Sequence, residues 1–315
     1  MTPDDTQSPV FETRARGKLL LTGEYFVLDG AQALALPVRF GQTLRVDIQK
    51  EPTRLSWTSK NNEGLAWFLA EYELPDLVPL TFTDKRVAVT LASMLQACRC
   101  QNPGFLAGNE GFKVLTQNDF PREWGLGTSS TLIAALARWA NVDPYRVLFD
   151  TMGGSGYDIA CAYSHGPILY RLLDKQKREV LPVDFQPPYS NSLFFVYLGK
   201  KQDSRIGIQN YRERAKGDAA HIAEISRLTE RFLAAENLPE LDIIIREHEA
   251  LISRVLDLPR AKDLYFSDFW GEVKSLGAWG GDFVLATSSR PAVETRAYFL
   301  EKGFETFLNW EEMIA

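Results

Sequence analysis

Four short segments of this chain pair glycines with side chains that can do chemistry. The first is Trp124-Gly125-Leu126-Gly127-Thr128-Ser129-Ser130, directly ahead of an apolar run. Glycines let a backbone turn sharply and come close to a ligand. The hydroxyls of Thr128, Ser129 and Ser130 can cap the helix that follows. Uncovered N–H groups at a helix start, with the positive end of its dipole, form an anion site. A serine hydroxyl there can also reach a magnesium ion. The segment is no Walker A loop, because no Gly-Lys-Ser/Thr follows, and no GxGxxG, because residue 130 is Ser. Alone, it also fits an ordinary glycine turn with a serine cap.

The second segment, Gly153-Gly154-Ser155-Gly156-Tyr157-Asp158, sets a carboxylate between a flexible loop and an apolar stretch. Held rigidly, Asp158 can accept a hydroxyl proton or orient a nucleophile during phosphoryl transfer. It fits an Asx turn or a helix cap as well. The third, Lys274-Ser-Leu-Gly277-Ala278-Trp279-Gly280-Gly281-Asp282, runs into the buried-strand pattern FVLAT. Paired glycines there mean close backbone approach to a ligand, or a tight helix-to-strand connection. The fourth, Arg16-Gly17-Lys18, puts a lysine just inside an apolar strand. Such a lysine either snorkels to solvent or neutralises charge beside a phosphate or reacting hydroxyl.

Other chemistry-bearing residues are scattered. His165, His221 and His248 form no HExxH pattern and are not expected to bind metal. His248 lies in the helical stretch IIIREHEALISRVL, whose acids are expected to solvate its outer face. Cys98, Cys100 and Cys161 make no CxxC pair and no disulfide framework, which suits a reducing compartment. Lys200, Lys201 and Arg205 form a basic cluster that either meets an acidic acceptor or faces water.

The elements that must position these residues follow from periodicity. Residues 1–11 read as a loose tail. The chain is strand-like from Phe11 to Gly30 and again through ALALPVRFGQTLRVDI, where Leu44, Val46 and Ile48 alternate with polar residues. A short helix is expected around Leu65 to Tyr72, another over Val87 to Cys98, and a strand at Gly111 to Leu115. Leu132, Leu136, Trp139 and Ala140 give the helix after the first glycine segment its 3–4 spacing. The charged, proline-bearing stretch 174–191 is the candidate boundary. Beyond it come the strand LFFVYLG and helices over Ile208–Lys216, Ala219–Glu236 and Pro239–Leu256. A helix, the GAWGG turn, the strand FVLAT, a helix over Pro291–Lys302 and a strand over Glu305–Leu308 complete the chain. Strands and helices intermix without βαβ alternation, which favours α+β.

Composition narrows the function classes. The 315 residues are 45% hydrophobic and 24% charged, enough apolar material for a large core. With 35 Lys+Arg against 41 Asp+Glu the net charge is −6, which argues against broad nucleic-acid binding. The longest apolar run, Leu193 to Leu198, is far short of the ~20 residues that span a bilayer. The N-terminus MTPDDTQSPV has no basic and apolar leader pattern. The expectation is a soluble cytoplasmic protein with neither nucleic-acid nor membrane partner.

In this order the four segments resemble the motifs of the GHMP kinase superfamily, which includes galactokinase, homoserine kinase, mevalonate kinase and phosphomevalonate kinase. RGKLLLTGEYFVLDG is similar to the first motif, APGKLLLxGEYxVLxG, and WGLGTSST to the GLGSSA phosphate loop. GGSGYDIA resembles the GSGxD segment that carries the catalytic Asp, especially the phosphomevalonate kinase form and a bacterial subgroup with the GYDIA wording. KSLGAWGGDFVLA is similar to the third motif, KxSGAGGGDxxxA. Departures are Arg16 for Pro, Thr128 and Ser130 in the loop, Leu276 for Ser, and Trp279 for Gly. Val147 stands where mevalonate kinases carry a metal-binding Glu.

The resemblance implies a two-domain α+β fold: an N-terminal ribosomal-S5-like α/β domain over 12–185 and a C-terminal ferredoxin-like α+β domain over 186–315, with the site in the cleft between. It implies ATP and Mg2+ as cofactors. Asp158 is implied as base or orienting carboxylate and Lys18 as the cation near the reacting hydroxyl. Trp124, Gly125, Leu126, Gly127, Thr128, Ser129 and Ser130 are implied around the ATP phosphates, with Ser129 on the metal. Glu24, Tyr25, Ser155, Gly156, Gly277, Ala278, Gly280 and Gly281 are implied beside the acceptor. The implied activity is γ-phosphoryl transfer to a small acceptor, phosphomevalonate first and mevalonate second, by a monomer or homodimer. Open alternatives are a kinase of another small alcohol or acid, phosphorylation followed by decarboxylation, and a kinase-like binder without turnover.

Overall fold

The computed structural model describes residues 8–200, 204–214 and 218–315. Most of the expected tail, Lys201, and Lys216 at the end of one expected helix lie outside them. The chain divides into two compact units: residues 1–17, 40–122 and 127–163 form the first, and 18–39, 123–126 and 164–315 the second. These units interleave along the sequence, whereas a boundary at 185/186 cuts it once.

Strand β1 (Phe11–Leu20) crosses from the first unit to the second, and β2 (Ala33–Gln49) crosses back. The rest of the first unit is β3 (Arg54–Lys60), β4 (Ala66–Glu73), β5 (Val78–Phe82), α1 (Lys85–Gln101), β6 (Gly111–Asn118), α2 (Thr128–Ala140), α3 (Pro144–Thr151) and α4 (Tyr157–Tyr163). Its strands run in the order β5-β4-β3-β6-β2. All neighbours are antiparallel except β3 and β6. Leu55 and Trp57 of β3, Phe68 and Tyr72 of β4, and Val114 of β6 share one core with Leu91 and Leu95 of α1 and Ile133 and Leu136 of α2. Asp84 caps α1 by accepting from the Val87 N–H at 3.1 Å.

The helix expected around Leu65 to Tyr72 is instead β4. Phe68, Ala70 and Tyr72 are buried while Ala66, Leu69 and Glu73 are exposed, a period of two rather than 3.6. The strand expected to continue to Gly30 ends at Leu20, and Phe26–Asp29 forms a 3-10 turn. Gly23 (φ 87) and Gly30 (φ 89) sit on either side of it with left-handed backbone.

The second unit adds β7 (Ile168–Leu172), β8 (Arg178–Pro182), β9 (Leu193–Tyr197), α5 (Ser204–Arg214), α6 (Ala219–Ala234), α7 (Leu238–Leu256), α8 (Ala261–Tyr265), β10 (Val273–Ser275), β11 (Phe283–Thr287), α9 (Ala292–Glu301), β12 (Phe307–Asn309) and α10 (Trp310–Met313). An antiparallel sheet in the order β10-β11-β9-β12 packs Phe194, Val196, Val284 and Ala286 against Phe266, Phe269 and Phe299. The element ahead of the GAWGG turn is strand β10, not the expected helix. It pairs with β11, Val273 opposite Ala286 and Ser275 opposite Val284, so the glycine turn closes a β-hairpin. Asp218 and Asn237 cap α6 and α7.

Leu136 links α2 to the sheet of the first unit and is fully buried. Leu136→Ala is expected to cost about 2–5 kcal/mol, read as a lower urea midpoint with an unchanged slope.

Candidate active-site residues

The first glycine segment folds as a loop opening into α2. Gly125 (φ 68) and Gly127 (φ 95) both use left-handed backbone, and Gly127 is the N-cap residue. No side chain caps the helix: the Ser130 hydroxyl donates back to the Gly127 carbonyl at 2.9 Å, and Thr131 does so at 3.1 Å. The expected hydroxyl cap is therefore absent, because both hydroxyls donate where a cap must accept. The start of α2 keeps its positive dipole end behind a cap residue that has no side chain. Ser129 is exposed and Thr128 half-buried, while Ser130 is buried.

Asp158 lies in the first turn of α4, half-buried, behind a loop in which Gly153, Gly154 and Gly156 all have positive φ. Ser155 is buried beneath it. α4 is tied to α2 by the Arg138 guanidinium on the Ala162 carbonyl at 2.8 Å and the Tyr163 hydroxyl on the Ala134 carbonyl at 3.2 Å. The helix that begins at Thr128 and the helix that carries Asp158 thus belong to one packed body.

In the second unit, three of the four sequence segments meet. The Lys18 backbone N–H donates to the Leu126 carbonyl at 3.0 Å, and its Nζ to the Gly125 carbonyl at 2.9 Å. From the other side, the Asp282 carboxylate packs on Gly125. A Cβ built there would stand 2.4 Å from the Asp282 Cγ on a left-handed backbone (φ 68), so a side chain at 125 would displace that carboxylate and strain the loop. Trp124 packs edge-on to Phe283, with ring centroids 5.4 Å apart. Lys18 is therefore a loop-holding lysine, neither simply snorkelling nor buried.

Glu24 and Tyr25 are both buried. Tyr25 has φ 64 and ψ −47, and the Phe26 N–H donates to the Glu24 carbonyl at 2.7 Å. That is a γ-turn of the strained, positive-φ kind. The Tyr25 hydroxyl accepts from the Trp279 backbone N–H at 3.0 Å, its ring stacks on Tyr211 at 5.9 Å, and burial pushes its pKa up to about 12. In the third segment Gly277 (φ 70), Gly280 (φ 95) and Asp282 (φ 55) turn the chain, and the Leu276 N–H closes the loop on the Phe283 carbonyl at 3.0 Å. Ala278, Trp279 and Gly281 are buried and Gly280 is exposed.

Behind this turn sits a charged cluster that the sequence reading missed. Lys274 of β10 and Glu249 and His248 of α7 surround Glu24, and all four are at most 1% exposed. Lys274 Nζ is paired with Glu24 Oε1 and stands 3.7 Å from Glu249 Oε1. His248 Nε2 is 3.3 Å from Glu24 Oε2 and accepts from the Gly23 N–H at 3.2 Å. The Ser275 hydroxyl donates to Glu249 Oε2 at 3.2 Å. Desolvation raises both carboxyl pKa values, that of Glu249 to about 7, against the lowering pull of Lys274. Desolvation, then Lys274, holds the His248 imidazole well below its ordinary range, so it is neutral. The expectation that the acids of this stretch solvate its outer face holds for the exposed Glu247 and fails for Glu249, which is buried. His248 falls in the apolar stripe Leu241–Ile244–Ile245–Ile252, and that spacing was the available signal.

Among the described residues, no group of three His, Cys, Asp or Glu side chains is placed to hold a metal. A magnesium ion carried by substrate phosphates needs only one or two protein oxygens, and the exposed Ser129 hydroxyl at the uncapped start of α2 fits that need. Val147 supplies none, being packed in the core of the first unit. Cys98 and Cys161 are buried and Cys100 is exposed, all as free thiols. Lys200 is exposed; Lys201 and the side chain of Arg205 lie outside the described residues. No helix among the described residues is long and apolar enough to cross a membrane.

No family model and no curated protein matches the chain. Solved structures do. The Methanococcus jannaschii mevalonate kinase aligns over 96% of this chain and 98% of its own, at TM-score 0.71 and 16% identity. The Streptococcus pneumoniae phosphomevalonate kinase, in complex with phosphomevalonate and AMPPNP, aligns over 95% and 100%, at TM-score 0.70 and 16% identity. The Lactococcus lactis galactokinase complexed with galactose aligns over 95% and 92%, at TM-score 0.64 and 14% identity. The chain has the two-domain α+β fold of these GHMP kinases.

The buried cluster makes stability depend on pH. Between the ordinary glutamate range and about pH 7, folded Glu249 keeps a proton that the unfolded chain releases. Raising the pH through that window therefore lowers stability. His248, neutral when folded, acts with the opposite sign in both proteins, so the expected result is a difference: from about pH 5 to about pH 8 the Tm of the wild type drops relative to that of Glu249→Gln. Parallel Tm–pH curves for the two proteins would count against this protonation.

Proposed function

We propose that the protein is an ATP-dependent small-molecule kinase of the GHMP type, with phosphomevalonate as the first-choice acceptor and mevalonate second. The observation that carries this reading is the meeting of three sequence-distant segments at one glycine. Lys18 grips the Gly125 carbonyl and Asp282 packs on the Gly125 Cα, just ahead of a helix start left without a side-chain cap. A loop held so closely and opening into a helix with a glycine cap suits a polyphosphate. The choice of phosphomevalonate rests on Tyr25, the GSGYD wording and Gly281-Asp282. In sequence terms, residues 12–185 are the proposed ATP-binding half and 186–315 the partner half, in a cytoplasmic enzyme.

In the proposed mechanism the backbone donors of Gly127 to Ser130 bind the phosphates and face the charge that develops on the transferred phosphoryl group. Ser129 would hold magnesium, which when bound offsets phosphate charge. Asp158 takes the proton of the acceptor hydroxyl as the new O–P bond forms and the bond to ADP breaks. Lys18 fixes the loop through the Gly125 carbonyl and adds positive charge beside it. Tyr25, Ser155, Gly156 and the turn 277–281 are proposed on the acceptor side.

A second reading, ligand binding without turnover, is favoured by one feature. Val147, packed in the core of the first unit, supplies no metal ligand where mevalonate kinases carry a Glu. ADP release measured with Mg·ATP over phosphomevalonate, mevalonate, homoserine, galactose and diphosphomevalonate separates the two. Turnover on one acceptor is expected; ATP binding with no ADP release on any supports the second reading. On the active acceptor, Asp158→Asn is expected to lower turnover by about 10²–10⁴ with ATP affinity little changed. An unchanged rate would remove Asp158 from the mechanism.

A further inference from the structure

The γ-turn at Tyr25 is a strained conformation, of a kind that persists only where its surroundings over-determine it. Its neighbours do so from both sides. On the distal side the Tyr25 hydroxyl accepts from the Trp279 N–H, and Gly207 of α5 presses so closely that a Cβ there would stand 2.5 Å from that hydroxyl. On the inner side lies the buried cluster. His248 takes the Gly23 N–H, and Lys274 holds the Glu24 carboxylate. The same cluster grips the first stem of the glycine hairpin. Lys274 belongs to β10 and also donates to the Ser275 carbonyl at 3.1 Å, and the Ser275 hydroxyl is bound to Glu249.

We propose that Lys274, Glu249 and His248 are positioning residues, which pin the Glu24 side of the γ-turn so that Tyr25 and the 277–282 loop are presented in one fixed form. This rests on the reading of Tyr25 and that loop as the acceptor side. Glu24 is accordingly a positioning residue too, held too deep to touch an acceptor. The charges are what make the clamp directional. An apolar side chain of similar volume fills the same space about as stably, but the Lys274 ammonium on Glu24 and the Ser275 hydroxyl on Glu249 fix which way each carboxyl group points. Three elements meet in it: the turn after β1, helix α7 and the first strand of the hairpin.

The test is hydrogen exchange read by mass spectrometry on the full-length protein. The variants are the charge-balanced double mutant Glu24→Gln/Lys274→Met and Glu249→Leu, which removes the acceptor of the Ser275 hydroxyl. Exchange about ten-fold faster or more is expected in peptides covering 23–27 and 276–283, with β9 and α6 keeping wild-type protection. Wild-type protection of the 276–283 peptides in a folded variant overturns the proposal. Protection lost evenly along the second unit does so as well, because the cluster then serves stability alone. Should the double mutant not fold, Glu249→Leu gives the same readout; failure of both to fold also overturns it.

With an acceptor that is turned over, a loosened clamp raises the acceptor KM by about ten-fold and changes kcat less. A wild-type protein that turns over nothing refutes the kinase reading, while the exchange data still decide the clamp.

Discussion

The candidate site depends on a buried ion pair, Lys274 with Glu24, in which neither partner is more than 1% exposed. Moving such charges out of water costs several kcal/mol per ion, and their attraction repays it only with good geometry. One cation facing two carboxylates leaves one negative charge in excess, and the raised pKa of Glu249 removes it by protonation. The neutral His248 completes the arrangement without adding charge. What the arrangement holds is backbone: the Gly23 amide, the strained residue Tyr25, and the first strand of the hairpin whose turn contains Trp279.

The glycines of the site do a complementary job. Gly125 leaves the space of a Cβ to the Asp282 carboxylate, and Gly127 lets the backbone turn left-handed into α2. A helix start with a glycine cap offers its positive dipole end to an anion. Rigid packing behind and a helix start in front is the division of labour expected where binding energy orients a phosphate. Trp279 adds bulk to a turn otherwise built from small residues, and its backbone rather than its ring makes the contact with Tyr25.

Much of this was legible in the sequence, and the exceptions are physical. The loop, α2 and the hairpin strand FVLAT follow from glycine spacing and apolar periodicity. Residues 65–72 were misread as helix because Leu65, Phe68, Leu69 and Tyr72 happen to follow helical spacing, while their burial alternates as in a strand. The element before GAWGG was misread because three residues, Val273–Ser275, carry too little pattern to show a period. The charged cluster was missed because its members lie 250 positions apart in the extreme, and charge in a sequence reads as surface. Only fold context brings Glu24, His248, Glu249 and Lys274 together. The acceptor-side roles remain a matter of chemistry rather than of fold.

The interleaving of the two units has a consequence for how such a chain is made and inherited. The polypeptide passes between them at 17/18, 39/40, 122/123, 126/127 and 163/164, five crossings in all. No single cut releases either unit whole, so neither can be exchanged as a cassette by recombination at one junction. A ribosome also finishes every residue of the first unit by position 163, while segments 18–39 and 123–126 still wait for partners from 164 onward. Those waiting segments include Lys18, Glu24, Tyr25 and Gly125. Glu24 and Tyr25 are thus made early, while their partners Lys274 and Trp279 come only late in the chain.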